Sequence, residues 1–302
     1  MKFGGKSILW SAIALLLLLS MGVPLLNWLT VALIMVPFVV LYATLSRGMF
    51  AAHIVPVFLI AFFVPGSGPA SVIIGLFFLV PAIVMGHHYR QGKPVRRTMT
   101  AVLLTILGLA LVELLVFESV FGVSLIREMQ DRMQDMLGNV ASQGVMSDIW
   151  TAENTDMVVK MTVQAIPQAL LLMAFAATAV AQYLSRRALA GFGMAVPGMP
   201  PAHEWRLPRV LVTYYLIALV VQMFIPAGDN SFLSVALLNL VPLLRMAFTV
   251  QAMGFFFFLA HQKGWAKPVP VLISIILLIF PPLSLIGVLD AAFPIRKSFQ
   301  KH

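Results

Sequence analysis

The sequence predicts an all-α fold: a polytopic bundle of about eight or nine transmembrane helices in a single membrane domain, residues 1–302, with an extracytoplasmic helical insertion at 121–156. Three observations predict it. The chain is 61% hydrophobic and only 10% charged over 302 residues, more apolar surface than a soluble domain of that size can cover. The apolar residues come in long repeated runs, where a β-barrel would show short alternating segments. The positive charges gather in loops between the runs. A net charge of +9 would point to nucleic acid in a soluble protein, but here the positive-inside rule accounts for it, and no nucleic-acid partner is expected. With no cysteine, disulfides, thiolate metal sites and cysteine nucleophiles are excluded.

In chain order, Lys2 and Lys6 precede an apolar run at 8–21. That pattern resembles a signal peptide, yet no small-x-small cleavage site follows and a second run begins at Leu25, so an uncleaved first helix is expected. Gly22-Val23-Pro24 reads as a turn. Segment two covers 25–45 and stops at Ser46-Arg47-Gly48. Segment three covers 49–64 and ends in the uncharged loop 65–69. Segment four covers 70–88 and runs into the basic stretch 87–97. Segment five covers 98–120. Segment six covers 157–184, before Arg186-Arg187 and a Gly/Pro-rich loop that ends at Arg209. Segment seven covers 210–226, followed by a turn at 226–230. The stretch 231–261 comes next, and the last segment covers 269–289.

The loops at 46–48, 87–97, 185–209 and 262–267 hold the positive charge, which assigns them and the N-terminus to the cytoplasm and the acidic stretch 121–156 to the outside. Nine crossings would leave the basic tail (Arg296, Lys297, Lys301) outside, against the rule; a kink or re-entrant turn at Pro281-Pro282 would resolve the conflict. In the insertion, Leu125, Ile126, Met129, Met133, Met136, Leu137 and Val140 recur at helical spacing opposite a charged face, as in a helix lying at the membrane interface or capping the bundle. Its methionines read as adaptable apolar packing; a copper site would need cysteine or clustered histidine.

The stretch 231–261 is almost wholly apolar around Arg245. As a helix it would measure ~46 Å against a bilayer core of ~30 Å, so it is either tilted or broken, with Pro242 the natural break. An arginine at the centre of such a span costs roughly 2.5–3.5 kcal/mol and needs a partner or water. Glu113 lies ~22 Å and Arg245 ~25 Å from the cytoplasmic ends of their helices by helical rise, so the two are expected to pair or to line one polar cavity. A purely structural ion pair is the competing reading. Gln164 and Gln168 flank Pro167, which frees backbone carbonyls that then need partners. With Gln222, Asn239 and Gln251 they form a polar belt, read either as interhelical hydrogen bonding or as contacts to a small-molecule ligand.

His87-His88-Tyr89-Arg90 and Trp10, Trp28, Trp205 and Trp265 read as interface anchors, and no metal or cofactor is expected. Ala174, Thr178, Ala181 and Ser185 form a small-residue stripe suited to close helix packing or to a membrane-protein partner. No nucleotide loop, HExxH, GxSxG or paired catalytic carboxylates occur, and an enzyme is not expected.

The pattern VPLLNWLTVALIMVPFVVLYATLSRG, a Pro/Gly turn, LFFLVPAIVMGHHYRQGK, the insertion near EMQDRMQDM, the late QAMGFFFF and the terminal GVLDAAFPIRK resemble the YybS-like family of bacterial multipass membrane proteins. The chain is also remotely similar to the substrate-capturing S-components of energy-coupling-factor transporters, although its extra C-terminal spans and outer insertion depart from that pattern. The resemblance implies a bacterial cell-membrane protein that captures or transports a small solute, and the polar belt around Arg245 points to an anionic one. The alternative is a non-catalytic scaffold or regulatory partner subunit.

Overall fold

The computed structural model describes residues 4–23, 26–64, 68–121, 125–142, 152–225 and 231–299. Pro24, the loop residues 65–67, the middle of the insertion at 143–151, the turn at 226–230 and Lys301 lie outside them, as does the side chain of Trp28. The described residues are all-α. In order the helices are α1 (Gly5–Leu19), α2 (Leu26–Leu33), α3 (Met35–Thr44), α4 (Arg47–Phe63), α5 (Gly68–Arg90), α6 (Val95–Phe121) and α7 (Leu125–Ser142). Then follow α8 (Ala152–Gln164), α9 (Ile166–Ala190), α10 (Val210–Met223), α11 (Phe232–Lys263), α12 (Pro268–Ile279), α13 (Ser284–Ala292) and α14 (Ile295–Phe299).

All nine apolar runs contain helix, but fewer are long enough to cross a bilayer, which takes about 20 residues. Among the described residues, five stretches satisfy both length and composition: Gly5–Gly22, Gly68–Arg90, Val95–Phe117, Ile166–Ala190 and Phe232–Lys263. A sixth is counted if α12 and α13, bent by 116°, are taken as one span. Leu29–Thr44, Arg47–Phe63 and Val210–Met223 are apolar but shorter. The count of eight or nine thus becomes five or six, because hydropathy runs include residues that fold into breaks and caps. Segment seven, for example, is helical only over Val210–Met223, with Phe224 at its cap.

The chain forms two compact units, Met1–Met129 with Leu170–Met199, and Gln130–Ala169 with Pro200–His302. The first is built around α3, in which every residue from Met35 to Ala43 is buried. A helix that is apolar all round belongs in a core, and α1, α4 and α5 pack around this one. Two glycines of α5 allow the close approach: a Cβ at Gly86 would meet the Tyr42 ring at 2.8 Å, and one at Gly75 would meet Phe58 at 2.5 Å. The small stripe of α9 is used in this core, with Ala174, Thr178, Ala181 and Ser185 all buried. At one edge the Arg90 guanidinium donates to the Tyr42 and Leu45 carbonyls, which α3 leaves open at its C-terminus, and stacks over the Tyr42 ring.

The second unit is organised by α11, which runs unbroken through Pro242 for 32 residues. Helices α8, α10, α12, α13 and α14 pack on it. A left-handed Gly264 (φ 65°) ends it, with the Gly264 and Trp265 amides donating to the Ala260 carbonyl. The insertion helix α7 is present as expected, with Met129 and Met136 exposed. Gln134 Nε2 donates to Asp156 Oδ1 of α8 at 3.2 Å.

Candidate functional site

Within the second unit, two polar clusters sit on α11, and the guanidinium between them belongs to neither. Asn239, Arg245 and Gln251 are spaced six residues apart. At ~100° per residue their directions differ by ~120°, so the three cannot line one cavity.

Asn239 faces the joint between α8 and α9. Pro167 has no N–H, and the helix breaks at Ala165. That leaves the Gln164 carbonyl and the Gln168 amide, partners in a continuous helix, without each other. The buried Asn239 side chain fills the gap: its Nδ2 donates to the Gln164 carbonyl at 2.9 Å, and its Oδ1 accepts from the Gln168 N–H at 2.9 Å. A third bond runs from Nδ2 to the Val235 carbonyl at 2.8 Å. The partner that Pro167 calls for is therefore a side-chain amide.

Gln251 faces the C-terminal segment. Its Oε1 accepts from the Leu207 N–H at 2.8 Å, and its Nε2 donates to Asp290 Oδ2 at 2.5 Å. Asp290 in turn binds Arg296. The Arg296 Nε donates to both carboxylate oxygens, at 2.9 and 3.1 Å, and Nη2 donates to Oδ2 at 2.6 Å. Nη1 reaches the His203 carbonyl at 2.8 Å and Nη2 the Trp205 carbonyl at 2.9 Å. The guanidinium also lies over the Phe258 ring, 5.1 Å from its centroid. Asp290 and Arg296 are 8% and 3% exposed, so the charges are desolvated, and partners surround both of them.

Local sequence explains how this pair forms. On one continuous helix, residues six apart point ~120° apart. Phe293 adopts extended backbone (φ −114°, ψ 152°) and Pro294 follows, so α14 turns back and delivers Arg296 to Asp290. Glycines let the elements approach: a Cβ at Gly287 would lie 1.8 Å from the Phe248 carbonyl oxygen, and one at Gly254 would lie 3.2 Å from that of Ala202. Chemically the cluster is a clamp. The carboxylate is filled by a guanidinium and an amide, and four of the guanidinium's five N–H donors are used.

The remaining expected site residues fall elsewhere. Arg245 is exposed, and among the described residues of its unit no side-chain hydrogen bond or ion pair holds it, in contrast to the buried guanidinium expected there. Gln222, near the end of α10, is exposed too. Glu113 is half-buried on α6 of the other unit. Among the described residues, no three histidine or acidic side chains come together in a way that could hold a metal ion.

Three clustered polar residues were not singled out from the sequence. Asp290 closes an apolar run, and Arg296 reads there as a tail charge. Gln182, buried in the first unit, accepts from the Tyr89 hydroxyl and donates to the Pro197 carbonyl at 2.9 Å. The available signal for the first two was an acidic residue and an arginine on either side of a proline at the end of an apolar run.

An all-α chain with five or six candidate spans is a multipass membrane protein. Residues 11–291 match the family model described as "Predicted membrane protein (DUF2232)", and the chain belongs to that family. It is 23% identical over 300 residues to "Uncharacterized protein YybS" of Bacillus subtilis (strain 168), covering 96% of each chain. No solved structure matches it. The match to the family embraces α1 through most of α13, so Gln251 and Asp290 fall inside it and Arg296 just beyond.

Proposed function

We propose that this protein is a non-catalytic membrane subunit that docks another membrane protein against the middle of α11. The observation that carries the reading is Arg245. By helical rise it lies ~20 Å from one end of α11 and ~27 Å from the other, at mid-span, exposed, with Leu240 and the adjacent Met246 exposed as well. A guanidinium at that depth calls for an acidic partner, and the described residues of its own unit supply none. The polar residues that would otherwise suggest a solute cavity are engaged: Asn239 closes a helix break and Gln251 holds the C-terminal clamp.

Capture of a small anionic solute at Arg245 is the second reading. The same guanidinium favours it, since an anion would satisfy Arg245 as well as a carboxylate does.

The two are separated by one set of measurements. A photo-crosslinker at Met246 in native membranes is expected to trap a single membrane protein, and Arg245→Gln to abolish the adduct while Arg245→Lys preserves part of it. Solute capture instead predicts no adduct and a thermal shift of the purified protein with small anions, about 2.7 kcal/mol at a hundred times Kd. An adduct that survives Arg245→Gln unchanged would sink the docking proposal.

A further inference from the structure

We infer that residues 268–292 do not cross the membrane but form a re-entrant hairpin, entering and leaving on the face where α11 ends, so that the C-terminal tail lies on the same side as the loop 264–267. The path of the chain along α11 carries this. Helix α12 starts immediately past the end of α11, after the turn at Gly264. Its 12 residues rise ~18 Å, well short of the ~30 Å core. The chain then bends by 116°, which is beyond a right angle and reverses its direction.

From there α13 and α14 descend beside α11 in the same sense as α11 itself. Gly287 sits against Phe248 and Ala252, and Asp290 is bonded to Gln251. Arg296 lies over Phe258. Phe299 packs on Phe255 at 6.0 Å and lies 5.9 Å from the Lys263 ammonium. Residues 287 to 299 thus track α11 from Phe248 to Lys263, back to the end where α12 began. Arg296 also binds the His203 and Trp205 carbonyls, so the loop at 203–205 lies at this end too.

The tip is built for a hydrocarbon setting, where a reversal would ordinarily strand backbone donors. The Phe280 N–H bonds the Ile276 carbonyl at 3.0 Å. Pro281 and Pro282 have no N–H to satisfy. The Leu283 N–H bonds the Phe280 carbonyl at 3.0 Å, and the Ser284 N–H reaches the Pro281 and Pro282 carbonyls. Every backbone donor through the bend is paired or absent. The hairpin also removes the charge conflict, because Arg296 and Lys297 now share a face with the basic loop at 262–267.

The chain has no cysteine, so single cysteines can be placed at exposed positions without background. Gln262→Cys, Ser298→Cys and Phe232→Cys, each in the full chain, are treated with a membrane-impermeant maleimide in vesicles of both orientations. The hairpin requires Gln262→Cys and Ser298→Cys to label from one side and Phe232→Cys from the other. Labelling of Ser298→Cys together with Phe232→Cys, opposite Gln262→Cys, would overturn it. A fluorescent or alkaline phosphatase reporter fused after His302 gives a second reading that needs no substitution. Its active form must match the side on which Gln262→Cys labels, and the opposite result defeats the inference.

Discussion

Helices α3 and α11 each organise one unit, and they hold their neighbours by opposite means. Around α3 the contacts are apolar except where Arg90 caps its C-terminus, and close approach comes from glycines notched into α5. Around α11 the neighbours are fastened by side-chain amides and one buried ion pair, at Asn239 and Gln251. The difference follows from what each must hold. Along its length helix α3 meets regular helices whose backbones are already satisfied, so shape suffices there, and only its open C-terminal carbonyls need Arg90. Helix α11 meets a proline-broken joint, a loop at 203–207 and a reversed hairpin, all with backbone groups that need partners.

This contrast can be broken most forcefully at Arg296. Arg296→Leu leaves the Asp290 carboxylate buried and short of its cation, and is expected to lower stability by about 3–5 kcal/mol, read as thermal unfolding in detergent. The double variant Asp290→Leu/Arg296→Leu should recover part of that loss, because no uncompensated charge remains. Wild-type unfolding of Arg296→Leu would remove the clamp from the account.

Gly287→Ala comes next. Its Cβ meets backbone, which cannot step aside, and α13 must move off α11 at about 3 kcal/mol. Gly75→Ala is the control in the other unit: its nearest obstacle is the edge of the Phe58 ring, which can rotate, so the loss should be about 1 kcal/mol. Equal losses at the two glycines would erase the distinction between the units.

Asn239→Leu is expected to cost about 1–3 kcal/mol, with faster hydrogen exchange at the Gln168 amide. If that amide stays protected, the joint has another source of order. Smallest of all is Arg245→Leu. The side chain is exposed, so unfolding in detergent should shift by no more than about 0.5 kcal/mol while the crosslink at Met246 disappears. A large stability loss there would turn Arg245 into part of the scaffold.

The helical class and the nine apolar runs were legible because hydropathy alone decides them. The span count was not: a cap such as the one at Phe224 leaves composition unchanged while shortening the helix. The need for a partner at Pro167 was legible from proline chemistry, but the identity of that partner was not, since Asn239 lies 71 residues from Gln168. The polar belt misled for a geometric reason. Matching depth says nothing about direction around the helix axis, and six-residue spacing sends successive residues to different neighbours. Asp290 and Arg296 escaped because a charge near a terminus reads as solvent-facing until the turn at Pro294 folds it inward.

The bracket at Asn239 has a consequence for biosynthesis. The ribosome adds Asn239 well after Gln168, an interval of about 4–14 s at ordinary elongation rates. Throughout that interval the Gln168 amide lacks the side-chain acceptor it has in the finished fold. The joint between α8 and α9 is therefore finished late, when α11 arrives, and truncation before residue 239 should yield a chain that proteases attack near Ala165.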